Sequence, residues 1–250
     1  MMKNKKGFTL SETLIAIAIL GIIAAISVPV LINTTNKHNY VNGLKRAYLI
    51  MKTATAALMA DNSGTMIAVA TDTNTLMNKY CTKLNCIKKC NASTDIGACF
   101  HDYLSAFHLA MNNNNDVMAL LLFENAAYAG GATGPNLWEN TDSYAKAILS
   151  NGMLVTFNAT AFPACTAGLT NNLCGAILID INGFKLPNMA GRDIFQFWII
   201  KNNIVPVGLP TDPLGFTNFT AFCDLPIIIP STSYGRTCSG RVLTEGKMNY

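Results

Sequence analysis

An apolar run near the amino end constrains this chain more than any other feature. The 25 residues from 8 to 32 contain one charged side chain, Glu12, and are otherwise apolar, small or hydroxyl-bearing. A helix of that length spans about 37 Å at about 1.5 Å per residue, more than the ~30 Å hydrocarbon core of a bilayer. The run therefore predicts a slightly tilted transmembrane helix.

The short leader before this run differs from an ordinary secretory signal. Three lysines, at positions 3, 5 and 6, come first, and the switch from polar to apolar falls at Gly7/Phe8. A secretory signal is cut after its apolar region, whereas this switch lies ahead of it, so we expect the anchor to stay on the mature chain. The positive-inside rule then places the amino end in the cytoplasm and residues after about 36 outside.

Glu12 needs a separate explanation. An acidic side chain in a spanning helix costs about 2.5–3.5 kcal/mol and usually marks a function. A positively charged partner would offset this cost. The alternative is that Glu12 lies in the headgroup layer and has no role.

Residues 6–16, KGFTLSETLIA, resemble the type III signal of the type IV pilin and type II secretion pseudopilin superfamily. The resemblance implies that a prepilin peptidase cuts between Gly7 and Phe8 and methylates the new amino group of Phe8. Glu12 would then be the fifth residue of the processed chain. In the family that acid pairs with the terminal amine of a neighbouring subunit during assembly, which would supply the missing partner.

Gly21 and Pro29 stand where many members of this superfamily carry a glycine and a proline. Both residues weaken a helix, because proline removes a backbone hydrogen bond and glycine loses more entropy on ordering. Neighbouring helices in a bilayer or a filament can re-satisfy the freed backbone groups. We therefore expect a locally weakened helix.

The expected organisation has four parts: a leader at 1–7, a transmembrane and filament-core helix at 8–32, its extracytoplasmic continuation at 33–60, and a globular domain at 61–250. Periodicity alone supports an α+β class with an anchor. The resemblance implies the pilin-like arrangement, a long amino-terminal helix packed on a carboxy-terminal antiparallel sheet.

Local patterns predict further elements in the globular part. An asparagine-glycine turn at 150–152 favours a hairpin between the apolar runs on either side. The other predicted elements are helices at 73–89 and 96–111, strands at 117–123, 176–181 and 194–200, a glycine-rich loop at 130–135, and a last strand at 241–243.

Eight cysteines lie beyond the anchor, on the side of the membrane where disulfides form. Short loops favour the pairs Cys165–Cys174 and Cys223–Cys238, and the remaining four would pair among themselves in any of three ways. The alternative is a zinc site from those four with His101, although their spacings lack the paired CxxC pattern. The four cysteines left open are Cys81, Cys86, Cys90 and Cys99.

Asp180, Asn182 and Asp193 could surround a calcium ion, since carboxylate and amide oxygens suit a hard cation. Their segment is similar to one in pseudopilin-like domains, some of which bind calcium in carboxy-terminal loops. An EF-hand is excluded, because Gly191 stands where the bidentate glutamate belongs. The favoured interpretation is a tight turn in which the two aspartates accept backbone hydrogen bonds. We predict no other cofactor.

Charge and motif content argue against two other classes of function. The formal net charge of +4 includes the three leader lysines, so it gives little reason to expect a nucleic acid partner. Lys83, Lys88 and Lys89 near Tyr80 could contact DNA, but such a patch is usually a solvated face. With three histidines and no GxSxG, HExxH or Walker motif, the chain is not predicted to be an enzyme.

The predicted function is that of a structural subunit of a type IV pilus-like or type II secretion pseudopilus filament. Its expected partners are other subunits, the prepilin peptidase, an inner-membrane assembly platform and membrane lipid. Its expected location is the bacterial inner or cytoplasmic membrane, with the globular domain periplasmic or extracellular, and then the filament. The alternative is a membrane-tethered minor or tip module that binds a surface, DNA or a secretion cargo.

Overall fold

The computed structural model describes most of the chain, namely residues 9–95, 98–99, 144–159, 165, 173–185, 191–215, 223, 235 and 237–250. The predicted strand at 117–123, the loop at 130–135, and all but residues 98 and 99 of the predicted helix at 96–111 lie outside this part. Gly7 and Phe8 lie outside it too.

The first helix, α1, runs from Leu10–Asp61, which confirms the predicted continuation of the anchor as one long helix. Pro29 lies inside it and does not end it. An 18-residue window of α1 has a mean hydropathy of 2.9 and is long and apolar enough to cross a membrane. The chain divides into two compact units, Met1–Asn39 and Tyr40–Tyr250. In the first unit the large apolar side chains are exposed, as at Ile17 and Ile26.

The described residues of the second unit include an antiparallel sheet of six strands, in which each strand pairs with the next described strand along the chain. The predicted hairpin is present, with Ile148 opposite Leu154 and a turn that includes Gly152. The sheet and the helix α1 confirm the predicted α+β class. The strands are β1 Cys86–Cys90, β2 Ala145–Leu149, β3 Leu154–Asn158, β4 Leu173–Asp180, β5 Ile194–Ile200 and β6 Asn203–Pro206.

The core of this unit lies between one face of α1 and one face of the sheet. Leu44 and Met51 of α1 are fully buried in the same cluster as Ile177 and Phe197 of the sheet. Tyr48 stacks on Phe197, with ring centroids 5.8 Å apart. Each large apolar side chain buried in this way contributes about 1.5–3 kcal/mol, so this contact fixes the second half of α1 on the sheet.

The predicted helix at 73–89 is wrong in its second half. The helix α2 covers Thr73–Cys81, begins at the cap Asp72, and is followed by a turn and strand β1. Leu84 and Ile87 continue the helical spacing, but Ile87 is 66% exposed. Pairing of β1 with β2 and the Cys81–Cys86 disulfide favour the reversal of the chain over further helix.

The predicted last strand at 241–243 is also wrong, because these residues lie in the third helix of the described part of the chain, α3, Cys238–Glu245. Val242 is buried, and Arg241 pairs with Glu245 one turn later. Gly246 ends the helix in the left-handed conformation with its N–H bonded to the Val242 carbonyl. The apolar residues that suggested a strand thus form the buried side of a short helix.

Candidate functional site

The amino end of α1 carries a reciprocal cap between Thr9 and Glu12. The backbone N–H and the hydroxyl of Thr9 both donate to Glu12 Oε2, each at 2.7 Å. The Glu12 N–H in turn lies 3.3 Å from Thr9 Oγ1. This is a capping box, in which an N-cap Thr and a Glu three residues later satisfy each other's backbone donors. It explains why the helix begins at Leu10.

The same contacts fix the orientation of the Glu12 carboxylate. The side chain is exposed, and its hydrogen bonds from Thr9 all reach one oxygen, Oε2. The carboxylate is therefore held in place and is accessible to a cation from another molecule. The sequence analysis considered Glu12 as a membrane charge and as an assembly residue but not as a helix cap, although Thr9-Leu10-Ser11-Glu12 has the S/T-x-x-E pattern of a capping box.

The structure says less about the predicted helix-weakening residues, Gly21 and Pro29, and about the predicted processing residues. A Cβ added to Gly21 would meet nothing within 4 Å, so no contact inside the chain requires a glycine there. Pro29 is accommodated inside α1. The processing residues Gly7 and Phe8 lie outside the described part of the chain. The roles of these four residues remain predictions.

All eight cysteines lie in disulfides. Cys165–Cys174 and Cys223–Cys238 are the two pairs that short loops favoured. The four cysteines whose pairing was open form Cys81–Cys86 and Cys90–Cys99, one at each end of β1. The zinc alternative is wrong, because it needs thiolates and these sulfurs are bonded to each other. His101, its fifth candidate ligand, lies outside the described residues.

The three calcium candidates meet at the connection between β4 and β5. Asp180 and Asp193 are fully buried. Oδ1 of Asp180 accepts hydrogen bonds from the N–H groups of Asn182 at 3.0 Å and Gly183 at 2.9 Å. The Asn182 side-chain amide donates to Asp193 Oδ2 at 3.1 Å. Asp180 thus makes the backbone contacts of the favoured tight turn, whereas the contact shown for the Asp193 carboxylate comes from a side chain. The calcium alternative stays a prediction.

The described residues do not bring enough metal-binding side chains together for a metal cluster. Among the described residues, no group of three or more His, Cys, Asp or Glu side chains could hold a metal ion. One carboxylate oxygen of Asp180, Oδ1, already accepts two backbone N–H groups. Backbone N–H groups therefore stabilise the negative charge of Asp180, as a bound cation would.

Two residues of α1, for which the sequence predicted no role at this site, lie against the connection. The Arg192 guanidinium lies over the Tyr40 ring, 5.7 Å from its centroid. Burial, and then the nearby Asp193 carboxylate, raise the pKa of the Tyr40 hydroxyl. A Cβ on Gly43 would come within 2.8 Å of Ile181 Cδ1. Tyr40 and Gly43 of α1 thus contact Arg192 and Ile181 of the β4–β5 connection, although they lie far apart in the sequence.

The candidate nucleic acid patch lacks its aromatic member. Tyr80 is fully buried, and its hydroxyl lies 2.7 Å from Thr55 Oγ1. Lys83 pairs with Asp61. Lys88 and Lys89 are exposed on β1. Single-strand binding sites combine basic groups with stacking aromatics, and Tyr80 offers no ring to stack on.

Comparison with known proteins identifies the amino-terminal segment. The family model described as the prokaryotic N-terminal methylation motif matches residues 2–28. No solved structure matches the chain. Together with the exposed apolar stretch of α1, the motif supports a membrane-anchored amino terminus. The segment is a prokaryotic N-terminal methylation motif, which supports its predicted resemblance to the prepilin-type signal of type IV pilins and type II secretion pseudopilins.

Proposed function

We propose that this chain is a structural subunit of a type IV pilus-like or type II secretion pseudopilus filament. The methylation motif at residues 2–28 is the observation that carries the proposal. It begins a helix whose apolar side chains are exposed and so are available to lipid or to other subunits. Subunits that join head to tail, through two different surfaces, form a filament when the rotation between neighbours does not close a ring.

Processing is the first step of the proposed sequence. A prepilin peptidase removes residues 1–7 and methylates the new amino group of Phe8. Before assembly, the helix at 8–32 holds the subunit in the inner or cytoplasmic membrane, with the globular domain periplasmic or extracellular. An assembly platform in that membrane then adds subunits to the filament.

Glu12 supplies the selectivity of the addition step. In an apolar surrounding, an unpaired carboxylate is costly and a carboxylate paired with an ammonium group is much less so. The amine of Phe8 in a neighbouring subunit is the proposed cation. Thr9 already holds one carboxylate oxygen of Glu12, which leaves the group oriented before the neighbour arrives. This part of the proposal rests on the resemblance and on the exposed position of Glu12.

The test separates the charge of Glu12 from its helix cap. Glu12→Gln removes the charge but keeps an amide oxygen that can serve in a capping box. Glu12→Ala removes both, and Ser11→Ala serves as a neighbouring control. We expect both Glu12 variants to remain processed and membrane-anchored but to be missing from sheared filaments, while Ser11→Ala assembles. Normal filaments from Glu12→Gln would refute the charge pairing.

The second candidate function is a minor or tip subunit that recognises a surface, DNA or a secretion cargo. The domain after residue 61 is large and carries four disulfides, which favours a rigid binding module. Abundance distinguishes the two candidates. A major subunit dominates sheared fibres, whereas a tip subunit is present in traces. An enzyme is not proposed, because the methylation motif belongs to a structural class of protein.

A further inference from the structure

The two faces of α1 between residues 41 and 58 differ in character. One face is buried in the protein's own core, where Leu44, Ala47 and Met51 are completely buried in the same cluster as side chains of the sheet. The opposite face, here called the cationic face, is exposed to solvent. It consists of Lys45, Arg46, Leu49 and Lys52.

The stretch of α1 that carries the cationic face supplies no acidic counterpart of its own. No Asp or Glu occurs between residues 13 and 60 of the sequence. Among the described residues, the ion pairs are Lys83–Asp61 and Arg241–Glu245, and neither involves this face. Lys52 is held in place, since its ammonium group lies 5.8 Å from the centroid of the Tyr48 ring.

An apolar side chain lies among these cations. Leu49 is 64% exposed, and it is one turn from both Lys45 and Lys52. An exposed leucine flanked by charges resembles the anatomy of a contact site, in which an apolar centre has a polar rim. Lys45 and Lys52 are seven residues apart, which separates them by about 10 Å along the helix.

This arrangement limits which partner α1 can contact. Because the other face is buried, any helix that packs on this stretch must meet the cationic face. Two copies meeting there through the same face would bring six cations together with no acid from this stretch of either helix. Like charges placed opposite each other across an interface oppose association. A head-to-tail contact with a second copy would need an acidic helix face on this chain, and none of the described helices α1, α2 and α3 carries two acidic residues about 10 Å apart.

We infer that the cationic face of α1 docks on an acidic helix face of a different subunit of the same filament, with Leu49 at the centre of the contact. The inference rests on the proposed function, since it requires assembly. The matching surface carries Asp or Glu about 10 Å apart, opposite Lys45 and Lys52. The chain is then a component of a mixed filament rather than a polymer of itself along this face.

The experiment places a photo-crosslinking amino acid at Leu49 of the full-length chain, in cells that assemble the filament. We expect a crosslink to a different subunit, within a segment that contains at least two Asp or Glu residues. Lys45→Glu and Lys52→Glu should each lower the yield by about tenfold, the effect of about 1.4 kcal/mol. Lys201→Glu makes the same charge change at an exposed site outside α1 and should not lower it.

Several results would overturn the inference. They are crosslinks to a second copy or to lipid alone, no crosslink from subunits that are in the filament, or a yield that Lys45→Glu and Lys52→Glu leave unchanged. Failure of the proposed function is recognised separately, because the wild-type chain would then keep residues 1–7 by mass spectrometry and be absent from filaments. In that case the inference fails as well.

Discussion

The hydroxyl groups of Thr55 and Tyr80 lie 2.7 Å apart in the core and join α1 to α2. Thr55 donates its one hydroxyl hydrogen to the Met51 carbonyl oxygen, 2.8 Å away. The Tyr80 hydroxyl must therefore be the donor between the two. The pair fixes the position of α2 relative to the buried side of α1, which the apolar contacts alone would leave less specific.

This direction of donation predicts unequal effects of two conservative substitutions. Tyr80→Phe removes the donor and leaves Thr55 bonded to Met51, so it should lower the free energy of unfolding by about 0.5–1.5 kcal/mol. Thr55→Val leaves the Tyr80 hydroxyl buried without its acceptor and should cost about 1–3 kcal/mol. Denaturant unfolding of the full chain in detergent, with disulfides intact, measures both. Equal losses would contradict the assigned direction.

Burial of Tyr80 also predicts a pH dependence. Burial raises the pKa of its hydroxyl well above the value of about 10 in the unfolded chain. Between these two values the unfolded chain releases a proton that the folded chain keeps. The associated stability is therefore complete below pH ~10 and is lost as the pH rises above it. Above pH ~10, unfolding free energy should fall more steeply in the wild type than in Tyr80→Phe, by about 1.4 kcal/mol per pH unit. Parallel curves would contradict this.

Local patterns were sufficient for some elements of the fold. The Asn151-Gly152 turn predicted the hairpin of β2 and β3, and the apolar run at 194–200 predicted β5, because strands and turns of this kind depend on neighbouring residues. The end of α2 was missed, since Leu84 and Ile87 keep the helical spacing. The strand β6 was missed because it has four residues and ends at Pro206.

Contacts between distant residues account for what sequence could not predict at the candidate site. The stacking of Arg192 on Tyr40 joins residues that lie far apart in the chain, and neither residue carries a motif. The pairings of Cys81 with Cys86 and of Cys90 with Cys99 depend on where β1 lies, which composition does not fix. The capping box of Thr9 and Glu12 could have been predicted from the sequence, because the two residues are only three positions apart.

The N-terminal cap of α2 predicts a stability difference between two substitutions of Asp72. Its carboxylate accepts from the Thr75 N–H at 2.9 Å and from the Thr75 hydroxyl at 2.6 Å. Asp72→Ala should lower the free energy of unfolding by about 0.5–2 kcal/mol, whereas Asp72→Asn keeps an acceptor and should cost less. Urea titration of the three chains at neutral pH measures this. A cost as large in Asp72→Asn as in Asp72→Ala would argue against a capping role.

The hydrogen bonds from Thr75 lower the pKa of Asp72, so the same cap should weaken in acid. A carboxyl whose folded pKa is depressed contributes stability above its unfolded pKa of about 3.9, and this stability is lost as the pH falls through the folded value. Asp72→Asn has no carboxyl there to protonate. Its stability relative to the wild type should therefore improve below pH ~4, in an acid titration of unfolding.

The turn at Asp180 predicts no response of the protein to calcium. If calcium bound here and its concentration were 100 times the dissociation constant, binding would add about 2.7 kcal/mol to the free energy of unfolding. The melting temperature would then rise by several degrees. Because backbone N–H groups already satisfy Asp180 Oδ1, we expect the melting temperature to be the same with millimolar calcium and with a chelator. A rise of several degrees that Asp193→Asn abolishes would instead support a calcium site.

Gly183 and Gly152 predict different costs for the same change of glycine to alanine. Both have positive φ, 69° and 85°, where a side chain costs about 1–2 kcal/mol. A Cβ on Gly152 would meet nothing within 4 Å, so Gly152→Ala should cost that strain alone. A Cβ on Gly183 would lie 2.2 Å from the Gly152 carbonyl oxygen, and backbone cannot yield as a flexible side chain can. Gly183→Ala should therefore lose clearly more stability in the same unfolding assay. Similar costs for the two variants would mean that the turns at 152 and 183 do not pack this closely.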